Sequence, residues 1–291
     1  MFVQPKDCSI IKLKKKSGKI RLVYNPKDEI KEKQREHLFG VIYRELPYSY
    51  FAHGFVRGRS IVSNARPHVN KKFILKIDIK NFFPSITWFK FCEEYKWKFR
   101  KYPDNAYQIH FLKHHNGRIV LEQGFPASPA ISNFVLFRFD IALYNYLINL
   151  QTHYEDANFA FTRYADDITI SSNNINALTR AKYKVFELLH KNGFQFNKKK
   201  LKVIPYWLRQ VVTGIVVNKK INLPRKERKR LRAIQHQLRK GYIKETNHIK
   251  GKLSFQHMVE IQREQFVLPF GDIEFTTTYL EKVKNVLGVD T

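Results

Sequence analysis

Apolar residues along this chain fall into short runs that are typical of strands. Residues 73–79, Phe-Ile-Leu-Lys-Ile-Asp-Ile, have the pattern of a buried strand that carries one acid, and residues 159–171 form a second strand region that two adjacent acids interrupt. Residues 10–24 alternate loosely between apolar and polar positions around Gly18, which predicts two short strands with a hairpin tip at the glycine. A further strand region is predicted at 201–217.

Segments with helical periodicity lie between these strands. The pattern predicts a helix at 27–46, a helix-rich block at 85–116, and helices at 128–150 and 177–192. Pro47 ends the first of these helices. Strands that are separated by runs of helix in this way predict a domain of the α+β class.

The charge of the chain adds a second kind of evidence, because it is strongly basic. The sequence holds 53 Lys and Arg against 25 Asp and Glu, a formal net charge of +28, and such an excess favours a polyanionic partner such as nucleic acid. A helix predicted between Pro224 and Gly241 combines an apolar stripe with a basic face. That face is either solvated or a nucleic-acid contact, and the charge of the whole chain favours the contact.

Composition excludes several classes of protein. Hydrophobic residues make up 43% of the chain, which is too much for a disordered protein. The two cysteines, Cys8 and Cys92, exclude a disulfide framework and a four-cysteine zinc site, and they suit a reducing compartment. We find no secretory signal and no apolar run of the roughly 18 residues that a spanning helix needs. The sequence therefore predicts a soluble cytoplasmic protein with no membrane contact.

The adjacent acids Asp166 and Asp167 are the sharpest chemical feature. Strand-forming residues flank them, and a buried carboxylate has to be paired, protonated or bound to a metal ion. An exposed hairpin tip would also account for the pair. However, the strand at 73–79 carries a third acid, Asp78, and three carboxylates at the ends of neighbouring strands would form a cage of oxygen ligands for divalent cations. Two such cations can assist both the attacking and the leaving oxygen in phosphoryl transfer.

Several motifs around these acids resemble those of a reverse transcriptase, in order and in spacing. The matching segments are 77–84 (motif A), 123–129 (motif B), 164–167 (the Tyr-Ala-Asp-Asp box) and 193–200 (motif D). Two shorter segments, 64–68 and 212–214, are similar to the Asn-Ala-x-x-His and Val-Thr-Gly signatures of retron reverse transcriptases. Each short motif is weak alone, but together they identify a resemblance to the retron branch.

The resemblance implies a fold and a set of catalytic groups. The fold would be a right-hand polymerase of the α+β class, with fingers and palm at 1–217 and a basic helical thumb at 218–291. Asp78 and Asp166 would bind two Mg²⁺ ions, Asp167 would support the same metal site, and Mn²⁺ could substitute. Lys200 would act as a general acid towards the leaving pyrophosphate, although a lysine at this position could also be a plain surface charge.

The resemblance also assigns contacts to substrate and to RNA. Deoxynucleoside triphosphates (dNTPs) would be bound by Lys19, Arg21, Phe83, Gln123 and Gly124, with the Phe83 ring crowding a 2′-hydroxyl. RNA would be bound by Asn64, His68, Val212, Thr213, Gly214, Arg228, Lys229 and Arg232. Other interpretations stay open, since Phe83 could be a core residue and Lys19 a surface charge. Asn64 and His68 could instead fix a loop between fingers and palm through hydrogen bonds.

The implied function is RNA-directed DNA synthesis on a cognate retron noncoding RNA, which yields branched, RNA-linked single-stranded DNA (msDNA). Retron systems of bacteria act in antiviral defence, usually with a separate effector protein. One alternative is a group II intron-like or diversity-generating reverse transcriptase. Another is an RNA-binding scaffold with an idle polymerase site, against which the intact set of three acids argues.

Overall fold

The computed structural model of the protein describes residues 1–14, 18 and 20–264. Its strands are β1 (Cys8–Lys14), β2 (Ile20–Pro26), β3 (Phe73–Asp78), β4 (Leu112–Lys113), β5 (Ile119–Val120), β6 (Ala160–Tyr164), β7 (Asp167–Ser172), β8 (Lys202–Pro205), β9 (Val211–Val212) and β10 (Ile215–Val216). Its α-helices are α1 (Asp28–His37), α2 (Tyr43–Glu45), α3 (Ile61–Ala65), α4 (Trp88–Phe99), α5 (Ser128–Val135), α6 (Phe137–His153), α7 (Ile175–Lys191), α8 (Arg225–Arg239) and α9 (Asn247–Glu264).

The central sheet is antiparallel, with the strand order β6, β7, β3, β8. β3 and β7 pair from Phe73 opposite Ser172 to Asp78 opposite Asp167. The other sheets of the described chain are two-stranded and pair β1 with β2, β4 with β5, and β9 with β10. The central sheet therefore joins segments that are far apart in the sequence.

The two faces of the central sheet differ in chemistry. Successive side chains of a strand point to opposite faces. On β3, Leu75 and Ile77 belong to the main hydrophobic core, so Asp78 lies on the opposite face. On β7, Ile168 belongs to that core and Asp167 lies on the opposite face. The core also holds buried side chains of α4 to α7, so the helices cover one face and leave the acids on the other.

A second hydrophobic cluster covers the far end of the acid-bearing face. It contains Ile74 of β3, Val62 of α3, Val212 of β9, Leu231 of α8 and Val259 of α9. These side chains are all buried, which removes apolar surface from water and attaches the C-terminal helices to the sheet. Because Ile74 is four residues before Asp78, this attachment leaves the end of the sheet that carries the acids uncovered by this cluster.

Two of the predicted helical segments differ from the structure. The block at 85–116 contains α4, but its C-terminal part is the β4–β5 hairpin, whose turn includes Gly117 at φ +79°. This left-handed conformation suits the turn, and α4 itself ends at Phe99, before Arg100 with φ +58°. The helix predicted at 128–150 is divided into α5 and α6, because Leu136 has φ −91° and ψ 3°, outside helical geometry.

The remaining elements follow the sequence pattern closely. Gly18, with φ +80°, lies between β1 and β2 as predicted. The strand region at 201–217 is present as three short strands, β8, β9 and β10. α8 begins after Pro224 and ends before Gly241, which has φ +73°. Within the described ranges, we find no helix that is long and apolar enough to span a bilayer.

Candidate active site

Backbone pairing brings the three acids to one end of the sheet. Asp78 ends β3 and is paired with Asp167, which begins β7. Directly opposed residues have Cβ atoms roughly 4.5–5.5 Å apart on the same face. Asp166 lies in the turn between β6 and β7, and its carbonyl oxygen accepts a hydrogen bond from the Ile79 amide at 3.0 Å. The structure therefore gathers Asp78, Asp166 and Asp167 at one end of the sheet.

Burial and repulsion by neighbouring carboxylates make Asp166 and Asp167 harder to ionise. The pKa of Asp166 is raised to about 6, first by burial and then by the negative charges of Asp167 and Asp78. The pKa of Asp167 is also raised by burial, against which the charge of Lys76 acts. Both effects arise because a carboxylate loses hydration on burial and is repelled by neighbouring anions. The group of acids therefore favours an added cation.

Lys200 already supplies one positive charge to the acids. It ends the 3-10 turn Lys198–Lys200, and the amide of the preceding Asn197 donates to the Asp78 carbonyl at 2.7 Å. The Lys200 ammonium donates a hydrogen bond to the Asp78 carboxylate. Partial burial acts to lower the pKa of Lys200, but the hydrogen bond with Asp78 and the charges of the acids outweigh it and raise the pKa overall. The lysine therefore stays protonated.

The identity of the donor atoms suits a hard divalent cation. Carboxylate oxygens are preferred ligands of Mg²⁺ and Mn²⁺, and a cation would offset the repulsion that raises the pKa of Asp166. As the side chains stand, no three His, Cys, Asp or Glu among the described residues are gathered into a ready-made metal cluster. Asp78 faces Lys200 instead. The acids fit a metal ion in the chemistry of their oxygen atoms and in backbone position.

A buried ion pair lies beneath the turn that carries these acids. Arg163 of β6 and Asp140 of α6 both have fully buried side chains. The guanidinium donates to both oxygens of Asp140, at 2.9 Å from Nε to Oδ1 and 2.7 Å from Nη2 to Oδ2. Its Nη1 donates to Asn133 Oδ1 at 3.0 Å and to the Ala165 carbonyl oxygen at 3.2 Å. The contact with Ala165 connects this network to the turn next to Asp166.

Close backbone packing supports the same turn. Ala165 has φ +55°, a conformation that is costly for a residue with a side chain. A Cβ atom on Gly54 would lie 2.6 Å from the Ala165 nitrogen, so the two backbones can approach this closely only because residue 54 is glycine. The Gly54 carbonyl accepts a hydrogen bond from Asn133 at 2.9 Å. The strained turn is therefore held by its surroundings rather than by its own residues.

Sequence reasoning missed this supporting network. A signal for Asp140 was present, because the acid shares its helical stripe with the buried Leu136, Leu143 and Leu147. A carboxylate within a buried stripe requires a partner. The sequence contains no local sign that the partner is Arg163, since the two residues lie on different elements.

The loop predicted to contact the nucleotide is attached to the N-terminal hairpin. The Tyr24 amide of β2 donates to the Gln123 carbonyl at 2.8 Å. Gly124 has φ +113°, and a Cβ atom there would lie 2.2 Å from the Tyr24 carbonyl oxygen. Arg21 is exposed on the same strand, whereas Lys19 lies outside the described residues. The structure thus brings Gln123 and Gly124 onto the strand that carries Arg21.

Phe83 is half-buried just beyond the end of β3. It begins the 3-10 turn Phe83–Ser85, after Asn81 with φ +50°. Its ring lies 5.2 Å from the ring of Phe82, which is buried in the main core. Phe82 is therefore the core residue of this pair, and Phe83 packs only partly against the core.

The two retron signatures contact each other. Asn64 is buried, and its side-chain amide donates to the Thr213 hydroxyl at 3.3 Å. That hydroxyl donates to the Ile61 carbonyl at 2.9 Å. Val212 is buried, whereas Gly214, at the tip of the β9–β10 hairpin, is exposed with φ +86°. The side-chain contacts of these motifs are thus mainly internal, and Gly214 is the exposed position among them.

His68 is a fully buried residue whose ring nitrogens are both occupied. Nδ1 lies 2.8 Å from the Ser171 hydroxyl, and Nε2 lies 2.8 Å from the Thr162 hydroxyl. Burial lowers the pKa of His68 to about 3, which keeps the ring neutral. The structure therefore favours the interpretation in which His68 fixes the loop, over a direct contact with RNA.

The basic residues predicted to contact RNA on the C-terminal helices lie at the surface. Arg228, Lys229 and Arg232 are exposed on α8, while Leu231 of the same helix is buried. Arg228 and Arg232 also line a cavity of about 250 Å³ between α8 and α9, together with Glu260. α8 therefore has the apolar and basic faces that its sequence predicts.

Comparison with known proteins identifies the family of this chain. The model of the reverse transcriptase (RNA-dependent DNA polymerase) family matches residues 13–250, so the protein belongs to this family. The retron Ec73 reverse transcriptase of Escherichia coli is 32% identical over 257 residues, which cover 81% of this chain and 77% of that protein. The retron Mx65 reverse transcriptase of Myxococcus xanthus is 35% identical over 268 residues, 86% of this chain but only 61% of that protein. These relatives assign the chain to the retron branch.

Solved structures to which this chain is similar have low sequence identity. Apo telomerase from Candida tropicalis, truncated from its C-terminal domain, is 12% identical with a TM-score of 0.47, over 77% of this chain and 55% of that chain. The foamy viral protease–reverse transcriptase in complex with double-stranded DNA is 17% identical with a TM-score of 0.47. The match covers 97% of this chain and 43% of that chain. The family match, with the mixed helices and antiparallel sheet, confirms the predicted α+β class and right-hand polymerase fold.

Replacement of Asp140 by Asn is expected to lower the free energy of unfolding by about 3–5 kcal/mol, because it leaves the Arg163 charge buried without a counter-charge. Urea unfolding followed by circular dichroism measures this loss. The control is Glu187→Gln, which removes an exposed ion pair with Lys184 and should cost less than about 1 kcal/mol. Similar losses for the two variants would contradict the assigned importance of the buried pair.

Replacement of Asp166 by Asn is expected to change the pH dependence of stability in the metal-free protein. Because the folded state raises the Asp166 pKa from 3.8 to about 6, it binds the proton more tightly than the unfolded chain does. The resulting stabilisation is present at low pH and is lost as the pH rises through about 6. Allowing for partial exposure, the free energy of unfolding of the variant should rise by about 1–2 kcal/mol relative to that of the parent between pH 4 and pH 7. Urea unfolding in chelator across this range tests it, and a pH-independent difference would refute it.

Proposed function

We propose that this protein is the RNA-directed DNA polymerase of a retron, which copies a structured noncoding RNA into branched, RNA-linked single-stranded DNA. The register that sets Asp78 opposite Asp167, beside Asp166, carries this proposal, in a chain of the retron branch. In the reaction, a primer hydroxyl would attack the α-phosphate of a dNTP, and the bond to pyrophosphate would break. Clustered carboxylates beside a lysine provide the groups that such phosphoryl transfer needs.

Asp78, Asp166 and Asp167 would hold two Mg²⁺ ions, for which Mn²⁺ could substitute. Such ions lower the pKa of the attacking hydroxyl and neutralise charge on the triphosphate. A bound cation would favour the ionised form of Asp166, whose pKa the protein alone raises to about 6. Lys200, which neutralises Asp78 in the protein alone, would then turn its ammonium group to the leaving pyrophosphate and donate a proton.

The dNTP would lie between the acids and the N-terminal hairpin. Arg21 and the neighbouring Lys19 would contact the triphosphate through charge-assisted hydrogen bonds. Gln123 and Gly124 would lie along the sugar and base, a position that their attachment to β2 supports. The half-buried ring of Phe83 would exclude a 2′-hydroxyl and so select deoxynucleotides.

The RNA would be held by surfaces outside this site. We assign fingers and palm to 1–217 and the thumb to 218–291, of which residues up to 264 are described. Arg228, Lys229 and Arg232 on α8 would contact phosphates of the RNA–DNA duplex, which position it without reading its sequence. A cognate noncoding RNA, a separate effector protein and a role in antiviral defence in the bacterial cytoplasm belong to the same proposal.

Asp166→Asn is expected to lower the rate of primer extension on an RNA template by at least ~10³-fold, because it removes a charged metal ligand with little change in volume. Affinity for RNA should stay near that of the parent, since the basic surfaces are unchanged. Extension is measured by gel assay with Mg²⁺ and repeated with Mn²⁺. Asp28→Asn, at a side chain that is 94% exposed, is the matched control and should extend normally.

Two outcomes would contradict the polymerase proposal. Primer extension by Asp166→Asn at more than a few percent of the parent rate would contradict the assignment of Asp166 as a metal ligand. A parent protein that binds RNA but extends no primer with either metal would favour the scaffold alternative.

Phe83→Ala is expected to admit ribonucleotides, because it removes the ring that crowds the 2′-hydroxyl. We expect the preference for dNTPs over ribonucleotides, measured by competition, to fall by at least about 10-fold. Phe83→Tyr keeps the ring and should keep the preference. If the alanine variant keeps the parent's preference for dNTPs, Phe83 has only a structural role and does not select the sugar.

A further inference from the structure

An exposed aromatic turn lies between β8 and β9, away from the carboxylates. Tyr206, Trp207 and Leu208, here called the aromatic turn, are 60%, 67% and 54% exposed. The Tyr206 and Trp207 rings pack edge to face at 5.2 Å, and the Trp207 ring lies 6.4 Å from the half-buried ring of Phe73. Large exposed rings that adjoin one another are a common mark of a binding surface.

The aromatic turn is held rigidly from below. The Leu208 amide donates to the Pro205 carbonyl at 3.0 Å and closes the turn. The side-chain amide of Asn218 donates to the carbonyl oxygens of Tyr206 and Leu208 at 2.9 and 2.7 Å. The backbone N–H of Gln210, a fully buried residue, donates to Asn218 Oδ1 at 2.9 Å. The rings are therefore presented on a fixed backbone, which reduces the entropy lost when they bind a ligand.

The surroundings of the aromatic turn are basic. Arg209 follows it directly, and Lys219 follows Asn218, which holds the turn. The side-chain amide of the buried Gln210 donates to the backbone carbonyl of Lys72 at 3.4 Å. Lys72 is exposed, so its backbone brings a third cation close to the aromatic turn. Residues 188–226 contain no Asp or Glu at all. The positive charge beside the turn therefore complements a polyanion.

The position of the aromatic turn separates it from the catalytic acids. β8 pairs with β3 so that Pro205 lies opposite Phe73, while Asp78 is at the other end of β3. Five residues of strand span about 17 Å. A ligand on the aromatic turn is therefore a different segment from the nucleotide that reacts beside Asp78.

From this juxtaposition of exposed rings, a hydrogen-bonded turn and the nearby cations Lys72, Arg209 and Lys219, we propose that the aromatic turn binds unpaired nucleotides of RNA. The bases would stack on Tyr206 and Trp207 while Lys72, Arg209 and Lys219 contact phosphates. This inference rests on the proposed function, since the RNA would be the one that the enzyme copies. The turn would hold a single-stranded part of that RNA at a fixed distance from the site of synthesis.

The test compares RNA binding by variants of the full-length protein. The probe is a fluorescein-labelled, unstructured RNA of about 12 nucleotides, a length within the range of single-strand binding sites, and fluorescence anisotropy gives Kd. Tyr206→Ala combined with Trp207→Ala should raise Kd by at least about 10-fold, because it removes two stacking surfaces. Tyr206→Phe combined with Trp207→Phe keeps two rings and should remain within about 3-fold of the parent.

Two further measurements separate stacking from other causes. Tyr183→Ala removes a ring that is 62% exposed on α7 and should leave Kd unchanged. The slope of log Kd against log salt should stay the same in the alanine pair, because no phosphate contact is lost. Extension of a short hairpin template–primer should also stay near the parent rate, since that substrate occupies only the catalytic end of the sheet.

An unchanged Kd in the alanine pair would overturn the proposal, as would an equal loss in the phenylalanine pair. A protein partner that is lost with the rings while RNA affinity is kept would also overturn it, and would make the turn a protein-docking surface. Failure of the parent to extend any primer would instead count against the polymerase function. The binding assay involves no synthesis, so the two failures are distinguishable.

Discussion

The buried pair of Arg163 and Asp140 is the interaction on which the candidate site depends. Two charges removed from water are tolerated only when their hydrogen bonds are complete, and here the carboxylate also accepts a hydrogen bond from the Ser49 hydroxyl. The pair joins β6 to α6 and leaves one guanidinium donor for the Ala165 carbonyl. The turn that holds Asp166 is thereby tied to the core, although its own backbone conformation is unfavourable.

The division of the sheet into an apolar and an acidic face explains how the chain tolerates three neighbouring acids. Burial of Leu75, Ile77 and Ile168 against the helices supplies favourable free energy on one face. At the acidic end of the other face, burial and then the charges of Asp167 and Asp78 raise the pKa of Asp166. Since a folded domain is only marginally stable, a group of repelling acids is costly unless a cation balances it. Lys200 meets part of that need through its hydrogen bond with Asp78.

Contacts between distant segments give the site its shape. Gly124 allows the loop at 122–126 to lie against the Tyr24 backbone, so the surface predicted to hold the nucleotide is continuous with the N-terminal hairpin. Asn64 and Thr213 meet across 149 residues of sequence and tie α3 to the β9–β10 hairpin. Both contacts place residues of short sequence motifs in structural roles, and both tie together elements around the sheet.

The sequence by itself determined the features that depend on neighbouring residues. Alternation at 73–79 defines a buried strand and sets Asp78 on the face opposite its apolar neighbours, and Pro224 and Gly241 bound α8. The motifs around the acids were sufficient for the family. Only the tertiary structure decided that Arg163 is neutralised by Asp140, and that the His68 ring is enclosed by hydroxyl groups rather than open to RNA. Such contacts join separate elements, and their partners follow from which faces pack together, which no local pattern encodes.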